Sequence, residues 1–563
     1  MRRNAMVACG AVLLAALAGA AGGECAKGEV LYNGIVLPAK WPPRLNVQKG
    51  VPRVPPYLVE GNIPSAIKID VGRQLFVDDF LVASSTGTVR RFYKPVKYFG
   101  NPVMWPETKT ECDNSVREPG CCMPGGGVWW DASRRRFRMW YLSGWNGLLS
   151  IAESADGLKW ERPPVGAAGT NVLLPNVKVD TFSVWPDYST ADPYANWRLF
   201  IAPPGCPVKC LEFSSGDGVS WNQLDAGGLV GDSSTMFYNP FRRKWVWSIR
   251  SYWSHGSRCR TYREHDDFVA GSKWRPATSN EIRSGQYDAD GKAEMFPWLA
   301  CDNSDLTSIV DGTERRSQLY NVDAVAYESI MVGLFKVLCG RDNKEASKAK
   351  LPKSTSVHFA YSRDGFYFDR PDRTPAIPDS GWQSGMWDTG YLGPCSSGFV
   401  IRDEQLWFYY VGARGDATAK RSGMHSHFSV GIAKLRRDGF AGMVADGAGE
   451  IVTRPVVFSG AQMFVNADAR YGSLSVEVLD ADGKPYEGYS EADCRGLVRV
   501  DSTKHAVTWK GGDLSRFAGR AARFRFRLKV TTMYAFWVAK DASGASGGYL
   551  AAGGPDYKGL KDE

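Results

Sequence analysis

The octapeptide ESADGLKW, Glu153–Trp160, is the first indication of the fold, because two closely similar octapeptides occur later in the chain. The phrase returns as SSGDGVSW at Ser214–Trp221 and as YSRDGFYF at Tyr361–Phe368. An internal repeat at long spacing indicates one structural unit that is used several times. Glycine adopts the positive φ that a tight turn needs, and the aspartate before it bonds to the local backbone. The aspartate of each phrase is therefore expected to form a turn and not to catalyse a reaction.

A β-hairpin is the second repeated feature. In GGVWWDASRRRFRMWY (126–141) an apolar run, a polar turn and an alternating second strand follow one another, which is typical of a hairpin. The same pattern recurs at 182–202, 234–249, 324–335 and 397–412. Five hairpins, several of them extended by a third and a fourth strand, are the signature of propeller blades. The sequence thus predicts an all-β fold, a five-bladed β-propeller with Asp156, Asp217 and Asp364 in equivalent outer turns.

The remaining segments differ in composition from the repeats. After about Ala445 the repeat stops and period-two strands with D-G turns follow, which fits a C-terminal β-sandwich. The run Arg341–Lys350 is short and polar and is expected to be loop-like. The predicted organisation is a signal peptide at 1–21, a Pro-rich N-terminal arm at 22–70, the propeller at 71–445, the β-sandwich at 446–545 and a flexible tail at 546–563.

Composition and charge exclude several classes of function. Of the 563 residues, 44% are hydrophobic, and the formal charge of +9 is spread along the chain without a basic run, so no nucleic-acid partner is expected. The N-terminal MRRNAMVACGAVLLAALAGAAGG combines two arginines, an apolar stretch and small residues at its end, which is typical of an export signal. No later stretch is apolar over the length of a membrane span. We therefore expect a secreted or periplasmic protein.

Export changes the interpretation of the 12 cysteines. In an oxidising compartment they favour a few local disulfides, and the spacing of Cys206 and Cys210 in CPVKC would close a small loop. The chain has only 6 histidines, and no paired metal-ligand motif accompanies the cysteines. The sequence therefore predicts neither a metal ion nor a cofactor.

Five motifs and the order of the domains carry a resemblance to a known group of proteins. The motifs are GRQLFVDDFLV (72–82), NPVM (101–104), QLYNVDAVAYESIMVGLF (318–335), WDTGY (387–391) and EVLDADGKPYEGYSEADC (477–494). With five blades followed by a sandwich, the chain resembles the secreted five-bladed-propeller glycosidases of families 32 and 43, and more closely a family-32-like group of secreted bacterial proteins. The resemblance implies a glycoside hydrolase that acts on a poly- or oligosaccharide, with a carbohydrate as its partner.

The catalytic motifs of the family-32 fructosidases are absent. Those enzymes carry N-D-P-N-G in the first blade, R-D-P in the second and E-C in the third. This chain has CCMPGGG (121–127) where its first blade begins and GDSS (231–234) in its third. The resemblance therefore assigns no catalytic residue, and the candidates have to come from the alignment of the hairpins.

Carboxylates just before the inner strands are expected to converge at one mouth, because the first strand of each blade lines the central channel. Aligning the hairpins puts Pro124, Asp180, Asp232 and Asn321 at equivalent positions. Two carboxylates then face one funnel from adjacent blades. Further candidates are Asp388 in a loop of the fifth blade, Glu118 or Asp113 before the first blade, and Asp78 or Asp79 on a strand that would close the ring.

Glycoside cleavage needs such a set, since one carboxylic acid protonates the leaving oxygen and one carboxylate attacks or activates water. The predicted catalytic residues are Asp180, Asp232, Asp388, Glu118 and Asp79, and the predicted substrate-binding residues are Trp185, Trp382, Trp387 and Arg250. Two alternatives stay open. A non-catalytic carbohydrate-binding propeller would keep the aromatic residues without a working acid–base pair. A glycoside phosphorylase would need Arg and His at the mouth, for which Arg250 and His255 are the candidates.

Overall fold

The computed structural model describes residues 28–45, 47, 50–113, 118–252, 257–275 and 294–563. The predicted signal peptide at 1–21 and His255 lie outside these residues. Within them, no helix is long and apolar enough to cross a membrane. The described residues contain three short α-helices, Lys109–Cys112, Phe268–Gly271 and Asn343–Ala349. They also contain 3₁₀ turns at Pro56–Leu58, Ala167–Gly169, Pro193–Ala195, Glu491–Asp493 and Ser515–Phe517.

Five antiparallel sheets form the blades of a propeller, and their inner strands follow one another around a central channel. From the inner strand outward, blade 1 has Cys121–Asp131, Arg136–Ser143 and Leu148–Ser154, and blade 2 has Thr181–Pro186, Trp197–Ala202, Leu211–Ser215 and Asn222–Leu224. Blade 3 has Thr235–Asn239, Lys244–Tyr252, Arg258–His265 and Phe296–Ala300, and blade 4 has Gln318–Glu328, Ile330–Leu338 and Thr355–Ser362. Blade 5 has Gly390–Pro394 with Val400–Arg402, then Gln405–Ala413, Phe428–Arg436 and Val96–Lys97. The predicted hairpins are the first two strands of these blades, so the five-bladed propeller is confirmed.

The ring is closed by a segment that precedes blade 1 in the chain. Val96–Lys97 adds the outer strand of blade 5 by pairing with Phe428–Arg436. Met104 bridges to Val430 of that same strand. The closing strand therefore follows the VDD segment, Val77–Asp79, and the prediction that this segment closes the ring is wrong.

The sandwich domain, predicted at 446–545, is a ten-stranded sheet that combines strands from both ends of the chain. Its strands are Gln74–Leu75, Val82–Thr86, Val89–Phe92, Ala441–Thr453, Gln462–Asp468, Ser473–Leu479, Cys494–Arg495, Leu497–Val498, Asp501–Trp509 and Arg523–Ala539. The longest of them pairs with neighbours on both of its edges, and its residues alternate between buried and half-buried along much of its length. A short parallel pair, Ile67–Lys68 with Val456–Val457, packs beside these strands. The sandwich thus begins before the propeller and not at 446, because residues 74–92 supply three of its strands.

The two segments predicted to be extended or flexible are packed against the domains. Leu31 and Tyr57 of the Pro-rich arm belong to the buried core of the sandwich. Near the C-terminus, Ala552 donates its N–H to the carbonyl oxygen of Phe399 in blade 5 and accepts from Trp130 in blade 1, both at 3.0 Å. Tyr549–Leu550 pairs with the end of the inner strand of blade 4. Residues 546–563 therefore lie against the propeller face where the inner strands end, which corrects the expectation of a flexible tail.

The repeated phrase forms the same turn three times. Asp156, Asp217 and Asp364 each accept a 3.0 Å bond from a serine hydroxyl two residues earlier. Each also accepts 2.8 Å bonds from the backbone N–H groups two and three residues later. The carbonyl oxygen of Gly157 accepts a bond from Tyr409 in the neighbouring blade 5, so the turn also joins adjacent blades. The prediction of equivalent structural turns is confirmed.

Two local expectations are wrong. Asn343–Ala349 is helical where a loop is expected, because Asp342 caps the first turn and forms a capping box with Glu345. The cysteines of the described chain are all free thiols. Cys206 is exposed in a loop whereas Cys210 is buried, so CPVKC does not close a disulfide loop.

Candidate active site

The floor of the mouth is built from the glycines of CCMPGGG. Gly125 has a φ of +80°, and a Cβ there would lie 2.7 Å from the carbonyl oxygen of Phe182 and 2.9 Å from Cγ2 of Thr235. Ser396 donates its N–H to the carbonyl oxygen of Gly126 at 2.7 Å. Only glycine permits this backbone conformation together with this close approach. Blades 1, 2, 3 and 5 therefore meet at this point, below the ends where their inner strands begin.

Asp180 and Asp232 stand at the mouth, just before the inner strands of blades 2 and 3. Oδ1 of Asp180 accepts bonds from Oγ1 of Thr181 at 2.9 Å and from the backbone N–H of Ser233 at 3.3 Å. Because Ser233 directly follows Asp232, the structure brings the two aspartates into one site. Burial, assisted by the nearby charge of Asp232, raises the pKa of Asp180 to about 6.

Asp232 has a different environment from Asp180. Its carboxylate forms an ion pair with Arg250, and its side chain is 33% exposed. Burial raises the pKa of Asp232, and the positive charges of Lys353 and Arg258 oppose this rise. The site thus holds one carboxyl group without an ion-pair partner among the described residues and one that is paired with a guanidinium.

Three further cations converge on the same mouth. Nζ of Lys353 donates a 2.6 Å bond to Oη of Tyr320. Nζ of Lys336 lies 4.3 Å from the ring centroid of Tyr391 and 5.0 Å from that of Tyr320, and the guanidinium of Arg258 lies 4.9 Å from the Tyr320 ring. Burial lowers the pKa of each lysine to about 7, and for Lys353 repulsion by Lys336 and Arg258 adds to the effect. Sequence reasoning misses all three cations.

A third carboxylate, Asp323, lies deeper on the inner strand of blade 4. It is fully buried, and its Oδ2 accepts a 2.8 Å bond from Nδ2 of Asn321. Burial raises the pKa of Asp323 to about 7. The hairpin alignment selects Asn321 in this blade. The signal for Asp323 is a charged residue inside a strand, NVDAVAYE, that is otherwise nearly apolar at its centre.

Aromatic side chains form another wall of the mouth. Tyr391 is the second residue of the inner strand of blade 5 and has a φ of +56°. This conformation costs energy for a bulky residue, and proteins often retain it at functional sites. The ring of His425 stacks on Trp145 at 4.0 Å and meets Tyr391 edge-on at 5.5 Å. Burial and the charges of Lys353 and Lys336 lower the pKa of His425 to about 3. The imidazole is therefore neutral and adds apolar surface.

The structure does not bring the other predicted acids into this cluster. Asp388 is buried in blade 5, where Lys97 at 2.6 Å and Tyr410 at 3.0 Å bind its carboxylate. Asp79 lies beside the sandwich, and its exposed carboxylate pairs with Arg90. Both carboxylates therefore bind other side chains and do not belong to the site of Asp180 and Asp232.

Glu118 lies behind the rim of the mouth. It is buried and accepts bonds from the backbone N–H groups of Gly423 at 2.9 Å and His425 at 2.7 Å. Its carboxylate thus holds in place the loop that carries His425. The contacts of Glu118 favour a positioning role.

Of the tryptophans predicted to bind substrate, two pack within or between blades and one lies near the mouth. Trp185 is fully buried between blades 1 and 2, edge-on to another tryptophan. Trp387 packs 5.4 Å from Tyr410 within blade 5. Trp382 is half-buried, and its Nε1 donates to the carbonyl oxygen just before Lys353. Of the three, Trp382 is the one that lies beside the cation cluster.

No protein-family model and no curated protein matches the chain. Solved structures similar to it include a thermostable family-43 glycoside hydrolase, 10% identical with a TM-score of 0.35 over 58% of this chain and 95% of that one. A fructofuranosidase from Schwanniomyces occidentalis complexed with fructose is 10% identical, with a TM-score of 0.34 over 79% and 97%. An α-L-arabinofuranosidase from Podospora anserina in complex with cellotriose is 9% identical, with a TM-score of 0.35 over 62% and 98%. At such low similarity no residue role can be carried over, so the function has to be inferred from the site.

Proposed function

We propose that the protein is a secreted or periplasmic glycoside hydrolase that cleaves a poly- or oligosaccharide at the propeller mouth. The observation that supports this most strongly is the presence of Asp180 and Asp232 in one site with unlike surroundings. Two carboxyl groups that differ in protonation are what acid–base cleavage of a glycosidic bond requires. The partly exposed side chain of Asp232 gives a substrate access to the pair.

In this proposal Asp180 is the proton donor. Its pKa of about 6 leaves part of the population protonated near neutral pH, which suits a general acid. Both of its hydrogen bonds reach Oδ1, so Oδ2 is the oxygen that delivers the proton to the leaving group. Asp232, whose carboxylate forms an ion pair with Arg250, attacks the anomeric carbon or activates a water molecule.

A carbohydrate-binding propeller without catalysis is the second candidate. Trp382 beside the cations and the stacked rings of Trp145 and His425 provide surfaces on which sugar rings pack. Those contacts need no acid or base.

The two candidates are separated by incubating the purified full chain with a panel of neutral and acidic polysaccharides and measuring released sugar. A hydrolase releases sugar from at least one of them. Asp232→Asn should then reduce turnover by about 10²-fold or more, because an amide neither attacks nor activates water. Asp156→Asn, in an outer turn, is the matched control and should keep its turnover. Full activity of Asp232→Asn excludes this residue as catalytic, and binding without cleavage by the parent favours the binding propeller.

A further inference from the structure

We infer that the mouth binds an oxyanion, which is a carboxylate, sulfate or phosphate group, next to Asp232. The inference rests on the proposed function, since the oxyanion would belong to the substrate or a co-substrate of that same site. The groups that would bind it are Arg250, Arg258, Lys336 and Lys353. They come from blades 3 and 4, at the ends of strands that face the mouth.

The two lysines are buried, and the described residues supply no ion-pair partner for either of them. Lys353 is 2% exposed and Lys336 is 7% exposed. Among the residues that the structure describes, neither forms an ion pair, and their ammonium groups face the rings of Tyr320 and Tyr391 instead. A buried ammonium without an anion costs stability. An anion from outside the chain would remove that cost.

Like charges are held close together around Tyr320. Lys353 bonds to its hydroxyl, and Lys336 and Arg258 lie 5.0 and 4.9 Å from its ring centroid. Arg258 is fixed by a 2.7 Å bond to Oε1 of Gln318. Neutral groups thus hold these cations in position, so that their charges stay available to a ligand.

The carboxylates of the site do not neutralise the cluster. Asp232 is already paired with Arg250. Asp180 and Asp323 are more easily protonated than ordinary aspartates, because burial raises their pKa values to about 6 and about 7. The mouth therefore places four basic side chains against three carboxyl groups.

An oxyanion fits this cluster better than a sugar hydroxyl does, because its oxygens accept charge-assisted bonds from several cations at once. Two sources supply such a group. One is an acidic sugar unit of the polysaccharide. The other is inorganic phosphate that takes the place of water: a phosphate oxygen bonds to the anomeric carbon, the glycosidic C–O bond breaks, and Asp180 protonates the leaving oxygen.

Isothermal titration calorimetry with polygalacturonate, D-galacturonate, D-galactose, inorganic phosphate and inorganic sulfate tests the inference on the full chain. At least one anion should bind about tenfold more tightly than D-galactose, and Lys353→Met should remove about tenfold of that affinity, which is the usual strength of one charge-assisted bond. Lys336→Met is a second, independent variant. Lys434→Met is the matched control, since Lys434 also lies over aromatic rings, 3.9 Å from that of Trp407, but in the outer part of blade 5.

The outcomes are distinct. Preference for galacturonate or polygalacturonate identifies an acidic sugar, and preference for phosphate identifies a free phosphate. Galactose binding as tight as that of every anion, no anion binding at all, or a preference that survives in both lysine variants overturns the inference. Anion binding by a parent that cleaves nothing overturns the hydrolase proposal alone. Cleavage of neutral polysaccharides without any anion preference overturns the oxyanion inference alone.

Proton uptake provides a second readout of where the anion binds. The charged and titratable groups that face the two lysines are Asp180, Asp232, Asp323, Cys122, Arg250, Arg258, Tyr320, Tyr391 and His425. Both lysines have a pKa of about 7, so an anion placed between them should raise the pKa of each and draw protons from solution at about pH 8. Calorimetry in two buffers of different ionisation enthalpy measures this uptake. Binding without uptake places the anion elsewhere and overturns the inference.

Discussion

The two ends of the inner strand of blade 4, Gln318–Glu328, hold buried charges in opposite situations. At the far end, Glu328 accepts bonds from the backbone N–H of Arg73 at 3.0 Å and from the guanidinium of Arg437 at 3.1 Å. At the mouth end, Lys336 lies in register with Asn321 of the strand and forms no ion pair among the described residues. The comparison indicates that a buried charged side chain marks a ligand site only where the described residues provide no ion-pair partner for it.

In the far-end network, three side chains bond to the carboxylate of Asp438. Asp438 accepts bonds from Oη of Tyr327 at 2.6 Å, from Arg73 at 2.9 Å and from Nδ2 of Asn466 at 2.9 Å. Asn466 belongs to the sandwich and Tyr327 to the propeller. The network therefore joins the two domains and has a structural role.

The largest effect is expected at the far end. Glu328→Gln should lower the free energy of unfolding by about 3 kcal/mol or more, because buried Arg437 loses its nearest carboxylate and buried Arg73 keeps only that of Asp438. Chemical denaturation measures this loss. Turnover per folded molecule should stay unchanged, since Glu328 lies away from the mouth. A variant that loses turnover but keeps its stability would contradict the structural role of Glu328.

The next effect concerns the proton of Asp180. A general acid with a pKa of about 6 loses its proton as the pH rises, so kcat should fall by about tenfold per pH unit above that value. Asp180→Asn should lower kcat by about 10²-fold and abolish this alkaline limb. The measurement is kcat between about pH 4 and pH 8. An alkaline limb that persists in the variant would show that another group donates the proton.

A smaller effect, of opposite sign, is expected at Lys336. Lys336→Met should raise the free energy of unfolding by about 1 kcal/mol near neutral pH, because it removes a buried cation that forms no ion pair with the described residues. The folded pKa of about 7 lies below the ordinary lysine value, so the unfolded chain binds more protons between the two values. The stability of the native chain therefore rises with pH in that window, and the advantage of the variant should shrink by about 1 kcal/mol per pH unit.

Denaturation of both proteins at several pH values above about 7 checks this prediction. Lys434→Met serves as the control and should show no such convergence. A constant difference between Lys336→Met and the native chain would mean that the ammonium is already compensated, which would weaken the contrast between the two ends.

The smallest effect is expected in the outer turns. Asp217→Asn should cost about 1 kcal/mol or less, because the amide oxygen still accepts the two backbone bonds. Turnover should not change. Thermal denaturation and the polysaccharide assay measure the two quantities. A large loss of turnover would place function in the turns and would remove the distinction between repeated and unrepeated aspartates.

The local pattern of the sequence is enough to predict the propeller and the position of two site residues. Each blade is a hairpin read from neighbouring residues, and the register of those hairpins places Asp180 and Asp232 before inner strands. The cations of the site cannot be predicted in this way. Lys336 lies near the end of a nearly apolar strand, and Lys353 follows a helix in a loop. Only the folded ring therefore shows that both lysines face the mouth.

Loops and long-range pairs limit the prediction elsewhere. The sequence places Asp388 and Glu118 in loops next to inner strands, and both are therefore expected at the mouth. In the structure the loops direct Asp388 to Lys97 and Glu118 to the backbone of His425. The sandwich boundary fails for a related reason. The strands at 74–92 carry no local sign that their partners lie after the propeller.

The sharing of strands between the two ends of the chain has a consequence for biosynthesis. During synthesis, Val89–Phe92 stays unpaired until Ala441–Thr453 has been made. Val96–Lys97 likewise stays unpaired until Phe428–Arg436 has been made. A nascent chain therefore carries unpaired edge strands while nearly all of the propeller is being made, and such edges invite aggregation. The ring gains its last strand only when blade 5 emerges, and residues 549–552 then bind across it. A chain released before that point would have an unclosed row of blades with exposed edge strands. Protection against aggregation through these edges therefore requires synthesis of nearly the whole chain.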